Sequence, residues 1–228
     1  MKKIGFIGAY DKTDIILSIA KVLTVANKKV LVLDNTITQK SKYVVPAINP
    51  TKSYITTYED IDVAVGFENI VNLKQYLGLQ EDEKMEYDYF LIDTDSFNGL
   101  STWNLQSADK NYFVTSFDSY SLKKGIEILS QLGVPTRITR IFFSKEMSRE
   151  EEEYFDYLSL GIKAIWDDEK IYFLLENGDF PAIMENQRIS KIKFSNLSEE
   201  YKRNIKKLVN DIDSGIGDRT IKNIIKEL

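Results

Sequence analysis

The chain has 228 residues, of which 43% are hydrophobic and 29% are charged, so it can bury one large continuous core. Its net charge of −5 excludes a surface built throughout to coat DNA or an anionic membrane, and any such contact has to be local. Histidine and cysteine are absent, which excludes disulfides, thiolate or histidine metal sites and histidine-based catalysis. Without cysteine, a bilayer-spanning apolar run or a signal-peptide pattern, we expect a cytoplasmic protein.

The N-terminal segment predicts a strand, a helix and a second strand. The short apolar run 4–8 is typical of a buried strand, and residues 12–26 place apolar side chains at helical spacing. A second buried strand follows at 29–33 and ends in Asp34. This order predicts a βαβ unit with parallel strands. The loop from Gly8 to Thr13 then joins a strand to a helix N-terminus, the geometry that holds a phosphate.

The rest of the chain continues the alternation of strands and helices. Residues 35–66 are predicted to be mostly irregular, with β-prone pieces at 44–45 and 54–57. We interpret Glu59, Asp60 and Asp62 as an exposed strand or loop face rather than a cation site. Further strands are predicted at 87–93, 112–114, 137–143, 162–166 and 171–175. Helices are predicted at 67–77, 121–132, after Ser148, at 197–212 and in the tail.

This pattern predicts a single doubly wound, mostly parallel α/β sheet with helices on both faces. We assign residues 1–213 to this domain and residues 214–228 to a C-terminal tail helix. Ligands of such sheets bind at the carboxyl ends of the strands. That edge is expected to bring together the 8–13 loop, Asp34 and Asp93.

These segments together resemble the bacterial ParA/MinD family of P-loop ATPases, which carry a deviant Walker A motif. The likeness covers about residues 2–145 and rests on the loop Ile7-Gly-Ala-Tyr-Asp-Lys-Thr13, on Asp34, and on the Walker B strand Tyr89-Phe-Leu-Ile-Asp93. The resemblance implies ATP and Mg²⁺ as cofactors. It also implies the roles of the site residues: nucleotide binding by Gly8, Ala9, Tyr10, Asp11, Lys12 and Thr13; catalysis by Lys12, Asp34 and Asp93; Mg²⁺ ligation by Thr13 and Asp93.

The chain departs from the family pattern at the phosphate loop. Ile7 replaces the signature lysine, Ala9 and Asp11 replace two glycines, and Asp95 and Ser96 replace the prolines after Walker B. A carboxylate within ~4 Å of a phosphate costs about 4 kcal/mol at an effective dielectric constant of 20. Asp11 can instead cap the helix by accepting the N–H groups of residues 13 and 14. Lys12 is then expected to pair with Asp11, Asp34 or Asp93.

We therefore predict a divergent member with a degenerate loop. It acts as a partner-binding positioning or assembly factor with weak or absent ATP hydrolysis, like the TadZ/CpaE proteins of pilus systems. One alternative is an active Mg-ATP-dependent switch in DNA segregation or cellular positioning, so whether the chain is an enzyme stays open.

A dinucleotide-binding Rossmann-like protein is another alternative, because Gly5-Phe-Ile-Gly8 resembles its fingerprint, although Tyr10 and Thr13 occupy later glycine positions. Protein partners are expected, and a homodimer also stays open. So do contacts with DNA through the basic residues of 191–207, or with a membrane through the apolar tail residues.

Overall fold

A computed structural model describes residues 1–48, 50–146, 148–175 and 177–228. Within these ranges the strands are β1 (Lys2–Ile7), β2 (Val30–Asn35), β3 (Tyr54–Tyr58), β4 (Ile61–Val65), β5 (Tyr89–Thr94), β6 (Lys110–Ser116), β7 (Thr136–Ser144) and β8 (Ala164–Leu174). The helices are α1 (Thr13–Val25), α2 (Ser41–Val44), α3 (Ile70–Tyr76), α4 (Phe97–Thr102), α5 (Ser119–Ser130), α6 (Arg149–Leu158), α7 (Asp179–Ile189), α8 (Glu199–Ile212) and α9 (Asp218–Glu227).

The strands form one sheet in the order β3-β4-β2-β5-β1-β6-β7-β8. Neighbouring strands are parallel except at the β3 edge, where β3 and β4 form an antiparallel hairpin. The predicted doubly wound, mostly parallel sheet is therefore confirmed. β1 lies between β5 and β6, and the register places Asp93 of β5 beside Phe6 of β1 and beside Asp34 of β2. Both acids thus reach the carboxyl edge of the sheet next to the loop that leaves β1.

Both faces of the sheet are covered, which explains why the central strands are almost continuously apolar. In β5, Tyr89 and Leu91 belong to the core beneath α1, α8 and α9, whereas Phe90 and Ile92 belong to the core beneath α3–α6. The tail helix α9 contributes three isoleucines to the first of these cores, and each is at most 7% exposed. Among the residues that the structure describes, no helix has the length and apolarity needed to cross a bilayer.

Several local predictions were wrong, each because contacts distant in sequence decide the structure. The β-prone residue Val44 lies in α2, and the predicted strands 162–166 and 171–175 are parts of the single strand β8. The segment of β4 was predicted only as an exposed strand or loop face, whereas its apolar residues are at most 1% exposed; Glu59 and Asp60 form the tight turn before it with φ of 53° and 66°.

Helices α4 and α7 were also missed. α7 contains Pro181, but in its first turn, where no helical N–H is needed.

Candidate functional site

The loop between β1 and α1 starts with a backbone conformation that requires glycine. Gly8 has φ of 142°, and its N–H donates to the Thr94 carbonyl oxygen at 3.1 Å. A Cβ on Gly8 would lie 2.0 Å from the carbonyl oxygen of Val114 in β6. Gly8 therefore lets the chain pass between the ends of β5 and β6 before it turns into the helix.

Lys12 occupies the N-cap position of α1, but its side chain folds back into the loop. Its Nζ donates to the Gly8 carbonyl oxygen at 2.8 Å and lies 2.6 Å from Oδ1 of Asp93. The Lys12 side chain is only 2% exposed. Of the three acids predicted as its alternative partners, the structure pairs Lys12 with Asp93. The ammonium group thus points into the sheet edge and away from solvent.

Asp93 is a buried carboxyl group with an unusual proton affinity. Burial raises its pKa from 3.8 to about 7; the Lys12 ammonium opposes this effect and the neighbouring Asp34 carboxylate adds to it. Within the described residues no donor reaches Oδ1 with hydrogen-bond geometry, so the contact with Lys12 is an ion pair. Because the folded protein binds this proton more tightly than the unfolded chain, Asp93 stabilises the fold below its ordinary pKa. That contribution is lost as the pH rises towards about 7.

Asp11 fills the start of the helix with a carboxylate. Its Oδ1 accepts the N–H of Thr13 at 3.1 Å, and its Oδ2 accepts from Lys40 Nζ at 2.5 Å. Of the two predicted contacts of Asp11, the one with the N–H of residue 13 is confirmed, whereas no hydrogen bond from the N–H of residue 14 to Asp11 occurs among the described residues, and Lys12 rather than Asp11 stands at the N-cap. Lys40 also donates to Asp14 at 2.8 Å; burial lowers the pKa of Lys40, but the two carboxylates outweigh this and raise it. The Asp11 carboxylate is therefore partnered by an N–H and an ammonium group of the protein itself.

Asp34 lies in the same region but directs its oxygens to its own loop. Oδ1 accepts from the N–H and the hydroxyl group of Thr36 at 3.0 and 2.6 Å, and Oδ2 accepts from the N–H of Ser41 at 2.9 Å. These bonds hold the segment between β2 and α2, which carries Lys40. Asp95, which replaces a family proline, accepts from the N–H of Ile37 at 3.0 Å in the same segment. Asp34 and Asp95 thus position the loop that supplies Lys40.

An apolar pocket of about 310 Å³ opens beside the phosphate-loop position. The ring of Tyr10 forms one wall. It stacks on the ring of Phe143 with 4.7 Å between the ring centroids, and the ring of Phe143 stacks on that of Phe173 with 5.1 Å between the centroids. Helix α7 covers the opposite side with Phe180 and Met184. The pocket combines residues from the loop after β1, from Lys40, from the ends of β7 and β8, from α7 and from α8, most of them distant in sequence, so sequence reasoning missed it.

The structure thus brings Gly8, Asp11, Lys12, Thr13 and Asp93 together, with Asp34 next to them. Sequence reasoning did not identify Lys40, whose ammonium group pairs with Asp11 in this site. The available signal was topological: a loop that follows a parallel strand returns to the same sheet edge as the loop after β1. No cluster of three or more acidic side chains suited to hold a metal ion occurs in the described ranges. The Mg²⁺ ligands predicted at Thr13 and Asp93 therefore stay a prediction.

A parallel sheet with a strand–loop–helix turn at a central strand, a lysine in that turn and an acid on the adjacent strand defines an α/β fold of the P-loop NTPase class. Comparison with solved structures identifies the fold as ParA/MinD-like. A chain of the MinC:MinD cell division protein complex from Aquifex aeolicus superposes with a TM-score of 0.60 and 13% identity, over 94% of this chain and 96% of that chain.

Two further structures agree with this fold. An ATP complex of McdA from Cyanothece gives a TM-score of 0.57 and 13% identity, over 92% of this chain and 95% of that chain. A plasmid partition protein from Borrelia burgdorferi B31 bound to AMPPNP gives a TM-score of 0.53 and 17% identity, over 100% of this chain and 100% of that chain. No protein-family profile matches the sequence, and neither does any curated protein.

Proposed function

We propose that this chain is a ParA/MinD-like positioning or partition factor that acts by binding protein partners, with weak or absent ATP hydrolysis. The observation that carries the proposal is the occupation of the phosphate-loop position by the protein's own groups. The Asp11 carboxylate accepts the N–H of Thr13, and the Lys12 ammonium is buried against Asp93. In a P-loop, helix N-terminal N–H groups and this lysine hold the phosphates, and here both kinds of donor are engaged by carboxylates of the protein.

Charge repulsion also disfavours a nucleotide phosphate beside the Asp11 carboxylate. A phosphate oxygen about 4 Å from the Asp11 carboxylate is repelled by about 1 kcal/mol in water and by about 4 kcal/mol at an effective dielectric constant of 20. The Asp11 side chain is 50% exposed, so the lower end of this range applies. A triphosphate also has to draw Lys12 out of a contact in which its side chain is 2% exposed. As arranged here, the loop does not fit a triphosphate without rearrangement.

The resemblance to the ParA/MinD family implies a dimer that encloses nucleotide between its subunits, with the signature lysine reaching across the interface. The replacement of that lysine in this chain supports a role that does not depend on such a dimer. Ile7, at the position of the family's signature lysine, is fully buried in β1 and carries no charge. The solved structure of MinD in a complex with MinC shows that this fold binds protein partners in another protein. We propose the same mode of action for this chain, either as a monomer or as a homodimer.

The decisive experiment measures nucleotide binding and self-association together. Calorimetric titration with ATP, ADP and NAD, each with Mg²⁺, is expected to give no binding at micromolar concentrations. Light scattering is expected to give the same mass with and without ATP and Mg²⁺. Micromolar ATP binding or an ATP-induced dimer would refute the proposal.

The second candidate is an active Mg-ATP-dependent switch for DNA segregation or cellular positioning. It is favoured by the convergence of Lys12, Thr13 and Asp93 at one sheet edge and by the ATP and AMPPNP complexes of two structural neighbours. In this case Lys12 binds phosphates, Thr13 and Asp93 hold Mg²⁺, and Asp34 supports the site. ATP hydrolysis that is lost in Lys12→Ala would establish this function.

A further inference from the structure

A basic groove of about 470 Å³ lies between α8 and α9, outside the site described above. It is lined by five cations from two separate parts of the sequence: Lys202, Arg203, Lys206, Lys222 and Lys226. A single carboxylate, Glu199, lines it with them. In a chain with a net charge of −5, this is a strong local concentration of positive charge.

Part of this charge is already neutralised. Lys202 donates to Glu199 at 2.9 Å, and Lys206 pairs with Asp218 at 2.8 Å. Lys222 and Lys226 are exposed and have no carboxylate within 4 Å among the described residues, although Lys222 is near enough to help lower the pKa of Asp218, which pairs with Lys206. The fifth cation, Arg203, is 69% exposed and has only a 3.5 Å contact with Glu200. Lys222 and Lys226 therefore lack an ion pair among the described residues, and an incoming anionic group can replace the long, exposed pair of Arg203 with Glu200.

The groove has an apolar element as well. Ile225 of α9 lines it between the lysines and is 6% exposed. Ile221 and Ile224 of the same helix are buried against the domain at 0% and 7% exposure. Because α9 uses its apolar face for packing, it has no apolar face left to insert into a membrane.

We propose that the α8–α9 groove binds an acidic segment of a partner protein, with a few carboxylates opposite Arg203, Lys222 and Lys226 and one apolar side chain above Ile225. Charge complementarity argues for an anionic occupant, and the concave shape between two helices suits a single peptide segment. The five cations of the groove, three of them in ion pairs, are fewer than the roughly 6–10 phosphate contacts of a DNA-binding protein with a steep salt dependence. The net negative charge of the chain also repels a long polyanion.

The inference gives a chemical class to one partner of the protein-binding role proposed above, and it does not depend on nucleotide. It is tested on the full chain with a fluorescent peptide that presents glutamate and leucine at helical spacing. Fluorescence anisotropy is expected to show binding that weakens at least about tenfold in Lys222→Glu/Lys226→Glu, because exposed charge pairs change from attraction to repulsion. A control variant, Lys84→Glu/Lys123→Glu, changes the net charge equally at two exposed lysines outside the groove and is expected to bind like the wild type.

Two further probes separate the other occupants. A short DNA duplex and phosphatidylserine vesicles are titrated in the same buffer. The inference is overturned if the peptide does not bind, if both double variants bind it equally, or if the duplex or the vesicles bind more tightly than the peptide. Failure here with no ATP binding would leave the proposed nucleotide-independent role intact, whereas ATP binding would refute that role without affecting the groove.

Discussion

The sharpest test of the site is a pair of substitutions at Asp11. Asp11→Asn keeps an oxygen that can accept the Thr13 N–H but removes the negative charge, whereas Asp11→Gly removes both. Neither is expected to unfold the protein, because glycine is tolerated near helix starts at a cost of a few tenths of a kcal/mol. The lost pair with Lys40 is partly exposed and worth about 0–1 kcal/mol.

The expected change in ATP affinity follows from the geometry. Removing the half-exposed charge relieves a repulsion of about 1 kcal/mol or somewhat more, so Asp11→Asn should bind ATP roughly tenfold more tightly than the wild type. Asp11→Gly should gain more, since it also frees the N–H of Thr13. Isothermal titration calorimetry with ATP and Mg²⁺ measures both.

Two controls make the result specific. Adding Lys12→Ala to Asp11→Asn should abolish the gain, because Lys12 is the cation of the loop. Asp14→Asn removes the other carboxylate that pairs with Lys40 but leaves the Asp11–Thr13 bond in place, so its gain should be smaller. The reasoning is refuted if neither Asp11 variant binds ATP better than the wild type, or if the wild type already binds at micromolar concentration.

Three further predictions concern the stability of the folded chain, measured as free energy of unfolding or as melting temperature. In the wild type, the free energy of unfolding should fall between about pH 4 and pH 7 as Asp93 loses its proton. Asp93→Asn should reduce this slope by up to about 1.4 kcal/mol per pH unit, measured by urea titrations at several pH values. An unchanged slope contradicts the raised pKa. Removal of residues 218–228 should lower the melting temperature by roughly ten degrees or more, because three buried isoleucines each contribute about 1.5–3 kcal/mol before ordering entropy; an unchanged melting temperature would show that α9 is not part of the core. Gly8→Ala should destabilise the fold by about 1–3 kcal/mol more than Gly161→Ala, which has a positive φ but open space around it; equal losses would exclude the contact with Val114 as the cause.

Sequence patterns predicted the elements whose own residues form a continuous apolar run or an apolar helix face. β1, β2 and β5 are central strands covered on both faces, so their apolar runs are long; β2 and β5 end near Asp34 and Asp93, and β1 ends before Gly8. Residues 54–57 were recognised as β-prone, but β4 and α7 were not recognised as elements, because β4 is held in the sheet by β2 and α7 packs on segments distant in sequence. The fold class could therefore be predicted, whereas the β3–β4 hairpin and the cover of the apolar pocket could not.

The candidate site shows the same limit. The loop residues and Asp93 were identified from their neighbours in sequence, but the partner of Lys12 depends on strand order, since β5 lies beside β1 in the sheet. Lys40 belongs to a loop without a motif, and only the folded chain brings it to Asp11. The catalytic role assigned to Asp34 stays a prediction; in the structure its oxygens hold the loop that carries Lys40.

The carboxylate of Asp11 at the helix start has a consequence for timing. A nucleotide-dependent switch alternates between two conformations, and the lifetime of its bound nucleotide sets how long one of them lasts. In the proposed nucleotide-independent role, the loop that carries its own anion keeps one conformation, and no nucleotide cycle sets the time at which the protein acts. The moment at which such a protein acts is then set by how much of it and of its partner the cell contains, and its response follows simple mass action. Regulation of this protein would accordingly be sought in its synthesis and degradation.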